Sequence, residues 1–447
     1  MTHPLIQIRQ MESSTLFAQV FLLFGRRVGR WFMLLLLLLF SLSTLPSQAK
    51  QPKQPKQPKQ EKLSTLNKNA RMALKNQSGQ EAALGALLNA LNRPELKNAQ
   101  RAKIYYTAAQ LDESINGIEN RKAYLKQAYD TAKFFNKLRD MYNRLQLCDS
   151  IDLLPDAKGK VHARLQKKTT ALRLKHRRNI FGGGRYYLFK QNYKEAYPFY
   201  DLYCIYSREE KQDTLYPQAA LCATLSAFLV ENWQGTIKYA DTAIFYSDTA
   251  TSAILHEYKV RSYEKLKNDS LWVAMLQQGV VKYPHHDYFF VQLADWCYAH
   301  RRYDVERKLA DRVIAETGGK AIHYYAKSKS YLAEENYEAC IEFADSTIAR
   351  QKDFADAYYN KGISYINMAV IAHEMSCKDV KNPQYAIDKQ RTQELYKKAR
   401  PCMEMVRRLQ PEKSDLWAPL LYRIYLNLNL GNEFNEIDRL LHPKPLP

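Results

Sequence analysis

The sequence predicts an all-α fold, a right-handed superhelical solenoid of stacked antiparallel helix pairs. At a spacing of 34 residues, four residues occupy equivalent places in similar text: Val260, Ala294, Ser328 and Gly362. A shared phrase, in which an Ala-Asp pair is followed by Ile three positions after the Asp, recurs at residues 239–244, 309–314 and 343–348. Only 15 Gly and 17 Pro interrupt a chain that is 46% hydrophobic, so most of it should be helical. A fixed period of this length marks units that bury their apolar faces only against their neighbours.

The N-terminal segment, residues 1–49, is predicted to be a signal peptide. An apolar run of about 15 residues, which spans 31–45, follows three arginines: Arg26, Arg27 and Arg30. That run is shorter than the roughly 20 residues that cross a bilayer comfortably as a helix. We therefore expect cleavage after Ala49 and a periplasmic or envelope-associated protein. The alternative is an inner-membrane anchor formed by residues 31–45.

Three further regions flank the repeats. Residues 50–64 are predicted to be an extended spacer, because Pro recurs there at every third position among Lys and Gln. Residues 65–155 are predicted to form irregular helix pairs, since Ala-rich and amphipathic runs continue through them. Residues 413–447 are predicted to be capping helices that end at Pro443 and Pro445.

A basic segment lies ahead of the repeats, and it is predicted to form an amphipathic helix over residues 156–180. No acidic residue occurs between 157 and 194, while nine cations are concentrated near its start: Lys158, Lys160, Arg164, Lys167, Lys168, Arg173, Lys175, Arg177 and Arg178. Its predicted apolar side consists of Leu165, Ala171, Leu172 and Leu174. Two interpretations stay open, namely a docking site for an anionic surface and a helix face whose acidic partners lie on neighbouring helices.

The repeated text resembles the tetratricopeptide repeat, or TPR. The best unit places Gly184 and Tyr187 in its first helix and starts its second with the aromatic-x-x-small pair Tyr193 and Ala196. A later unit carries the expected residues of the first helix: Tyr358, Gly362 and Tyr365. The exported, Lys- and Tyr-rich style also resembles uncharacterised TPR proteins of Bacteroidota envelopes.

The resemblance implies a TPR-like array over residues 181–412. Within it the next aromatic-x-x-Ala motif after Tyr365 comes only at Tyr396 and Ala399, about 25 residues late. An insertion is therefore expected at about 366–390, either as a lengthening of both helices or as a protruding loop.

The resemblance further implies a groove lined by positions 2, 5, 9 and 12 of each first helix. The candidate groove residues are Phe181, Arg185, Glu257, Arg261, Tyr288, Asp295, Tyr298, Tyr325, Lys329 and Tyr359. TPR proteins that grip the acidic tails of chaperones carry Lys and Asn at positions 5 and 9, and no unit here reproduces that pair. An aromatic groove of mixed charge suits an extended peptide or a partner helix better.

Charge and motif content narrow the class of function. The formal net charge is +21, and a basic exported protein meets anionic envelope polymers and lipids before nucleic acid, which is disfavoured as a partner. The seven cysteines are scattered singly, so one or two disulfides stay open. No nucleophile–base motif or metal-ligand spacing occurs, and no catalytic residue, metal or cofactor is predicted.

We therefore expect a non-catalytic exported scaffold that binds an envelope protein through the groove. The alternatives are docking on an anionic envelope polymer or lipid through residues 158–178, and binding of a glycan by the aromatic surface. The sequence does not predict an oligomeric state.

Overall fold

A computed structural model describes residues 61–156, 158–161, 163–207 and 213–442. These residues form eighteen α-helices and contain no strand, which confirms the predicted all-α repeat fold. The predicted signal peptide lies outside the described residues, as does the predicted spacer up to residue 60. The last part of that spacer is already helical, because the first helix begins at Leu63.

Most helices pack chiefly on the helices next to them in the sequence. The N-terminal helices are α1 (Leu63–Asn76), α2 (Gln80–Ala90), α3 (Asn98–Tyr124) and α4 (Thr131–Asp152). The middle helices are α5 (Gln166–Phe189), α6 (Tyr193–Ser207), α7 (Tyr216–Leu229), α8 (Trp233–Phe245), α9 (Thr249–Lys265), α10 (Asp269–Lys282), α11 (Asp287–Ala299), α12 (Tyr303–Thr317), α13 (Ala321–Ala333) and α14 (Tyr337–Arg350). The C-terminal helices are α15 (Ala355–Glu374), α16 (Pro383–Leu409), α17 (Ser414–Asn427) and α18 (Gly431–Leu441). From α5 onward we call the first helix of each pair helix A and the second helix B.

A recurrent turn joins helix A to helix B. In five successive pairs the turn contains a non-glycine residue with φ between 54° and 61°: Gln191, Glu231, Lys267, Arg301 and Glu335. In four of these pairs the next side chain caps helix B by accepting a hydrogen bond from a backbone N–H three residues later: Asn192, Asn232, Asn268 and Asn336. The remaining pair, α11 and α12, has Arg302 at that place, and Arg302 makes no such bond. The repeat therefore includes the turn as well as the helices.

Small residues let the helices of the array approach closely. Gly183 in α5 lies against the ring of Phe199 in α6, and Gly279 in α10 lies against Phe289 in α11, so a Cβ at either glycine would collide with the ring. The alanines of the shared phrase are also buried: Ala240, Ala310 and Ala344. The repeated small residues thus form seams both within pairs and between them.

The aspartates of the shared phrase connect one pair to the next. Each forms an ion pair with a lysine on the helix A that follows: Asp241 with Lys259 at 2.7 Å, Asp311 with Lys327 at 2.6 Å, and Asp345 with Lys361 at 2.5 Å. The three lysine side chains are largely covered, with 11%, 11% and 23% exposure. The Ala-Asp phrase therefore combines a packing residue with an anchor for the neighbouring unit.

The basic segment differs from its prediction. Its helix, α5, begins at Gln166 rather than near residue 156, and it ends at Phe189 rather than before Gly182. Pro155 and Gly159, whose φ is +76°, lie in the non-helical connection before it. The glycines stay helical because neighbouring rings pack directly against the backbone, as Phe199 does at Gly183.

The expected insertion lengthens two helices. Helix α15 has 20 residues and α16 has 27, whereas most A and B helices before them have 13 to 17. The connection between them and the start of α16 expose three apolar side chains: Met375, Val380 and Ile387. Both helices run on past the point at which a regular unit would end.

Candidate partner-binding groove

The predicted groove residues lie on the A helices α5, α9, α11, α13 and α15. Phe181 is not a groove residue, because it is only 4% exposed and packs edge-on against Tyr200 and Tyr203 of helix B. Its ring fills the seam of its own pair. Arg185, one turn later, is exposed. Tyr359 packs against the core of the C-terminal helices and is half-buried.

Three predicted residues on α9 and α11 form a first cluster. Arg261 lies 2.5 Å from one carboxylate oxygen of Glu257, and its guanidinium carbon is 5.0 Å from the centre of the Tyr288 ring. His286 completes the cluster, with its Nε2 2.6 Å from the other oxygen of Glu257. Burial raises the pKa of Tyr288, so the phenol stays neutral. Both oxygens of the Glu257 carboxylate are therefore occupied from within the chain.

Four predicted residues on α11 and α13 form a second group, which we call the central cluster: Asp295, Tyr298, Tyr325 and Lys329. The ammonium of Lys329 lies 3.2 Å from Asp295 Oδ1 and 3.9 Å from the centre of the Tyr298 ring. Asp295 keeps 63% of its side chain exposed, while Lys329 keeps 24%. The ring of Tyr325 lies 4.9 Å from that of Phe354.

Glu306 lies beneath the central cluster. Glu306 is only 1% exposed, and its buried Oε2 accepts no hydrogen bond. Burial raises the pKa of this carboxyl to about 7, with Asp295 adding to the rise while Lys329 and Arg307 oppose it. The carboxyl is therefore poised to gain or lose its proton near neutral pH.

The hydroxyl of Tyr325 in the central cluster has acidic groups around it. Burial raises the pKa of Tyr325, and the carboxylates of Asp356 and Asp295 raise it further, as Tyr298 and Glu306 also do. Tyr325 therefore stays neutral, and the groups around it lie within electrostatic reach of one another. Asp356 and Phe354 belong to this surrounding and were not among the residues predicted from the sequence.

Glu306 was also absent from the predicted site, although the sequence contains a signal for it. It stands fourth in the aromatic-x-x-small motif that begins at Tyr303. Four other pairs fill the same place with small, fully buried residues: Ala196, Thr236, Cys340 and Ala399. The pair of α9 and α10 has Trp272 there, which is only partly buried. A carboxyl at a position that four other units keep small is detectable once the units are aligned with one another.

The basic segment divides into paired and unpaired cations. Three of its nine form ion pairs with acids on other elements: Arg173 with Asp149 at 2.5 Å, Lys175 with Glu113 at 2.6 Å, and Arg177 with Asp213 at 3.7 Å. Six are exposed and form no ion pair among the described residues: Lys158, Lys160, Arg164, Lys167, Lys168 and Arg178. The predicted apolar side is not buried, since Leu174 is 47% exposed and polar Thr169 and Arg173 point inward instead. No helix in the described ranges, α5 included, has the length and hydropathy to cross a membrane.

The described groove residues are aromatic and charged side chains. Within the part of the chain that the structure describes, no group of three His, Cys, Asp or Glu side chains is placed to hold a metal ion. The seven cysteines are free, and five are buried. Burial raises the pKa of the Cys148 thiol to about 12 and that of Cys297 to about 11, so both stay protonated.

Comparison with known proteins gives matches among solved structures alone. No family model and no curated protein matches the chain. Among the structures, the C-terminal part of a TPR repeat-containing protein from Cytophaga hutchinsonii is 13% identical, with a TM-score of 0.40, and covers 59% of this chain and 96% of that one. A TPR repeats protein from Bacteroides fragilis is 16% identical, covers 59% and 98%, and has a TM-score of 0.29. The TPR domain of P58(IPK) is 11% identical, covers 85% and 98%, and has a TM-score of 0.26.

The helical-repeat architecture stands on the helix pairs, turns and ion pairs described above. The chain forms an all-α helical-repeat fold, and the three solved structures named above, to which it is similar, are TPR proteins.

Proposed function

We propose that this protein is an exported, non-catalytic scaffold that binds another protein of the cell envelope through its groove. The central cluster carries the proposal, because Asp295 and Tyr298 on α11 and Tyr325 and Lys329 on α13 form one surface from two successive pairs. A ligand that contacts them spans neighbouring units, as an extended peptide or a helix would.

The chemistry of this surface favours a protein ligand. Tyrosine supplies a large contact area at a small cost in side-chain entropy, and such residues often dominate the binding energy of protein interfaces. The half-buried rings of Tyr298 and Tyr325 are framed by the exposed carboxylate of Asp295 and the ammonium of Lys329. Charged groups around a ring set orientation and select among partners.

The envelope setting rests on the N-terminal sequence. Residues 1–49 have the order of an export signal, in which arginines precede a short apolar run and small residues follow it. From their composition, the repeats of Pro, Lys and Gln in residues 50–60 are expected to form an extended spacer.

Capture of the partner from intact cells tests this function. The tagged full chain is cross-linked in the living source cell, recovered, and its partners are quantified by mass spectrometry for the wild type and for Tyr298→Ala/Tyr325→Ala. The matched control is Tyr124→Ala/Tyr246→Ala, which removes tyrosines that are 88% and 59% exposed and lie outside the groove. Circular dichroism verifies that each variant keeps its helices.

The proposal expects a protein that is recovered with the wild type and the control and is depleted at least tenfold with the groove variant, because two such rings together supply about 2 kcal/mol or more. Equal recovery of every partner with a folded groove variant would reject the groove. A protein that stays in the cytoplasm at full length would reject the export.

The exposed part of the basic segment supports a second candidate, docking on an anionic envelope polymer or lipid. Lys160, Lys167 and Lys168 are exposed without an ion pair among the described residues, so their charges are available to an anionic surface. Screening by salt weakens an interaction of this kind strongly.

Vesicle flotation tests the second candidate. Vesicles with phosphatidylglycerol should retain the protein at low salt, and high salt or the triple change of Lys160, Lys167 and Lys168 to Gln should release it. A control that changes three exposed lysines elsewhere to Gln should still bind: Lys308, Lys352 and Lys413. Retention that is indifferent to salt, or equal in the two variants, would remove this function.

A further inference from the structure

Glu306 is a buried acid in a place that four other pairs fill with a small residue. Glu306 is 1% exposed at a position where four other pairs bury Ala, Thr or Cys, and its Oε2 has no hydrogen-bond partner. A buried carboxyl without a partner is costly, so the fold alone does not explain it. Its electrostatic neighbours are groove residues of its own pair and of the next, Asp295 and Lys329.

The central cluster already holds one organic cation of its own. The ammonium of Lys329 rests 3.9 Å from the centre of the Tyr298 ring, a distance typical of cation–π contacts, and 3.2 Å from the carboxylate of Asp295. A ring and a carboxylate thus meet at one point of the groove, and the geometry there is suited to a positive charge.

The acidic groups of the cluster outnumber its cations. Asp295, Glu306 and Asp356 all act on the hydroxyl of Tyr325, whereas Lys329 forms an ion pair with Asp295 alone. Arg307, the other nearby cation, is bound 2.7 Å from Glu334. Its guanidinium also lies 4.5 Å from the centre of another ring, that of Tyr331. The cluster therefore has acceptor oxygens in excess of what its own cations use.

We infer that the central cluster binds a basic side chain, arginine in preference to lysine, that projects from the partner protein. A planar guanidinium can donate to the exposed carboxylate of Asp295 and stack on a tyrosine ring, while the buried carboxyl of Glu306 acts on its positive charge electrostatically. The inference rests on the proposed function, because it names the chemistry of the segment that the groove takes. Lys329 then shares Asp295 with the incoming group.

The surrounding rings distinguish this site from one for a metal ion. Divalent cations require several oxygen ligands converging at about 2.0–2.6 Å, and the described residues contain no group of three acidic, His or Cys side chains with that placement. Organic cations instead lie over ring faces, as Lys329 does at Tyr298.

A small probe tests the inference without knowledge of the partner. N-acetyl-arginine-N-methylamide is titrated into the full mature chain and followed by ligand-observed saturation-transfer NMR, with the neutral citrulline analogue as its isosteric control. A single side chain in one subsite should saturate with a Kd on the order of 1–10 mM. The variants are Asp295→Asn, Glu306→Gln and Glu306→Ala, and the matched control is Asp304→Asn, an exposed acid of the same helix as Glu306.

Saturable binding of the arginine probe alone, weakened about tenfold or more by Asp295→Asn and Glu306→Gln but unaffected by Asp304→Asn, is the expected result. Glu306→Ala should fold, since Ala196 and Ala399 occupy the same place in other pairs. Asp295→Asn changes an exposed side chain, so its result does not depend on folding. Absence of saturable binding, equal binding of citrulline, or wild-type affinity in the Asp295 and Glu306 variants would overturn the inference. If partner capture still requires Tyr298 and Tyr325, the proposed function survives that outcome.

Discussion

Glu306 has the exposure of a core residue and the chemistry of a surface residue, and this combination affects stability. Removal from water penalises the ionised carboxylate, and the pKa of Glu306 accordingly rises to about 7 from an ordinary value of 4.5. Between these two values the folded protein holds a proton that the unfolded chain has released. Rising pH therefore favours the unfolded state.

We expect the contribution of Glu306 to the free energy of unfolding to be intact below pH 4.5 and lost as pH rises through about 7. The loss reaches up to about 3 kcal/mol for a shift of this size. Glu306→Gln, which does not titrate, should gain stability over the wild type by that amount between pH 4.5 and 8. Urea unfolding of both proteins at the two pH values, followed by circular dichroism, measures it.

Subtracting the variant's free energy of unfolding from that of the wild type at each pH removes the contribution of groups that titrate alike in both proteins. A difference that stays constant from pH 4.5 to 8 would mean that Glu306 ionises normally. In that case its carboxyl reaches water, and Glu306 is not an unsatisfied buried acid.

Replacing glycine by alanine should have opposite effects on stability at a helix seam and on an open helix face. Gly279→Ala should cost about 1–3 kcal/mol, because the new methyl group collides with the ring of Phe289. Gly85→Ala should gain about 0.5–1 kcal/mol, because nothing lies near that position of α2 and alanine favours the helix. Urea midpoints of the two variants test the prediction, and equal shifts in the same direction would refute the close approach at Gly279.

At the scale of helices, the caps of the B helices should contribute individually. Asn336→Ala should lower the free energy of unfolding by about 1 kcal/mol, because its side chain accepts a hydrogen bond from Ala339 N–H at 3.2 Å. Arg302→Ala removes a residue at the equivalent position that makes no cap bond and should cost only a few tenths of a kcal/mol. Chemical denaturation ranks the pair, and an equal loss in both would show that the side-chain cap is unimportant.

The helix pairs were predictable because their spacing is repeated. The phrase at residues 239–244, 309–314 and 343–348 recurs because its alanine is buried at a seam and its aspartate pairs with a lysine of the next helix A. The late recurrence of the aromatic-x-x-Ala motif at Tyr396 likewise located the two long helices. Periodic constraints of this kind are visible in one sequence without coordinates.

Features without a period were harder to predict. The start of α5 was misplaced because consecutive basic residues at 158–168 cross a connection with no change in composition. Phe181 was assigned to the groove by position, whereas its direction depends on Tyr200 and Tyr203 in the facing helix. Glu306 was missed because its burial depends on tertiary contacts, and a charged residue on a helix is usually exposed.

At the scale of the whole array, stability should be distributed along the chain. Each unit contacts chiefly its neighbours, so among the described residues the first and last helices have a neighbouring unit on one side. We expect α1, α2, α17 and α18 to exchange their amide hydrogens faster than α9 to α14, which have neighbours on both sides. Hydrogen exchange with mass spectrometry measures this gradient, and uniform protection across the chain would contradict nearest-neighbour stability.

The central claim is that a partner protein binds at the junction of α11 and α13. The most direct test is the Kd of the purified partner for the wild type and for Tyr298→Ala/Tyr325→Ala, determined by isothermal titration with Tyr124→Ala/Tyr246→Ala as control. A loss of about thirtyfold or more, confined to the groove variant, is the predicted result, because it corresponds to about 2 kcal/mol from two central rings. Equal Kd values for the three proteins would place the binding surface elsewhere on the molecule.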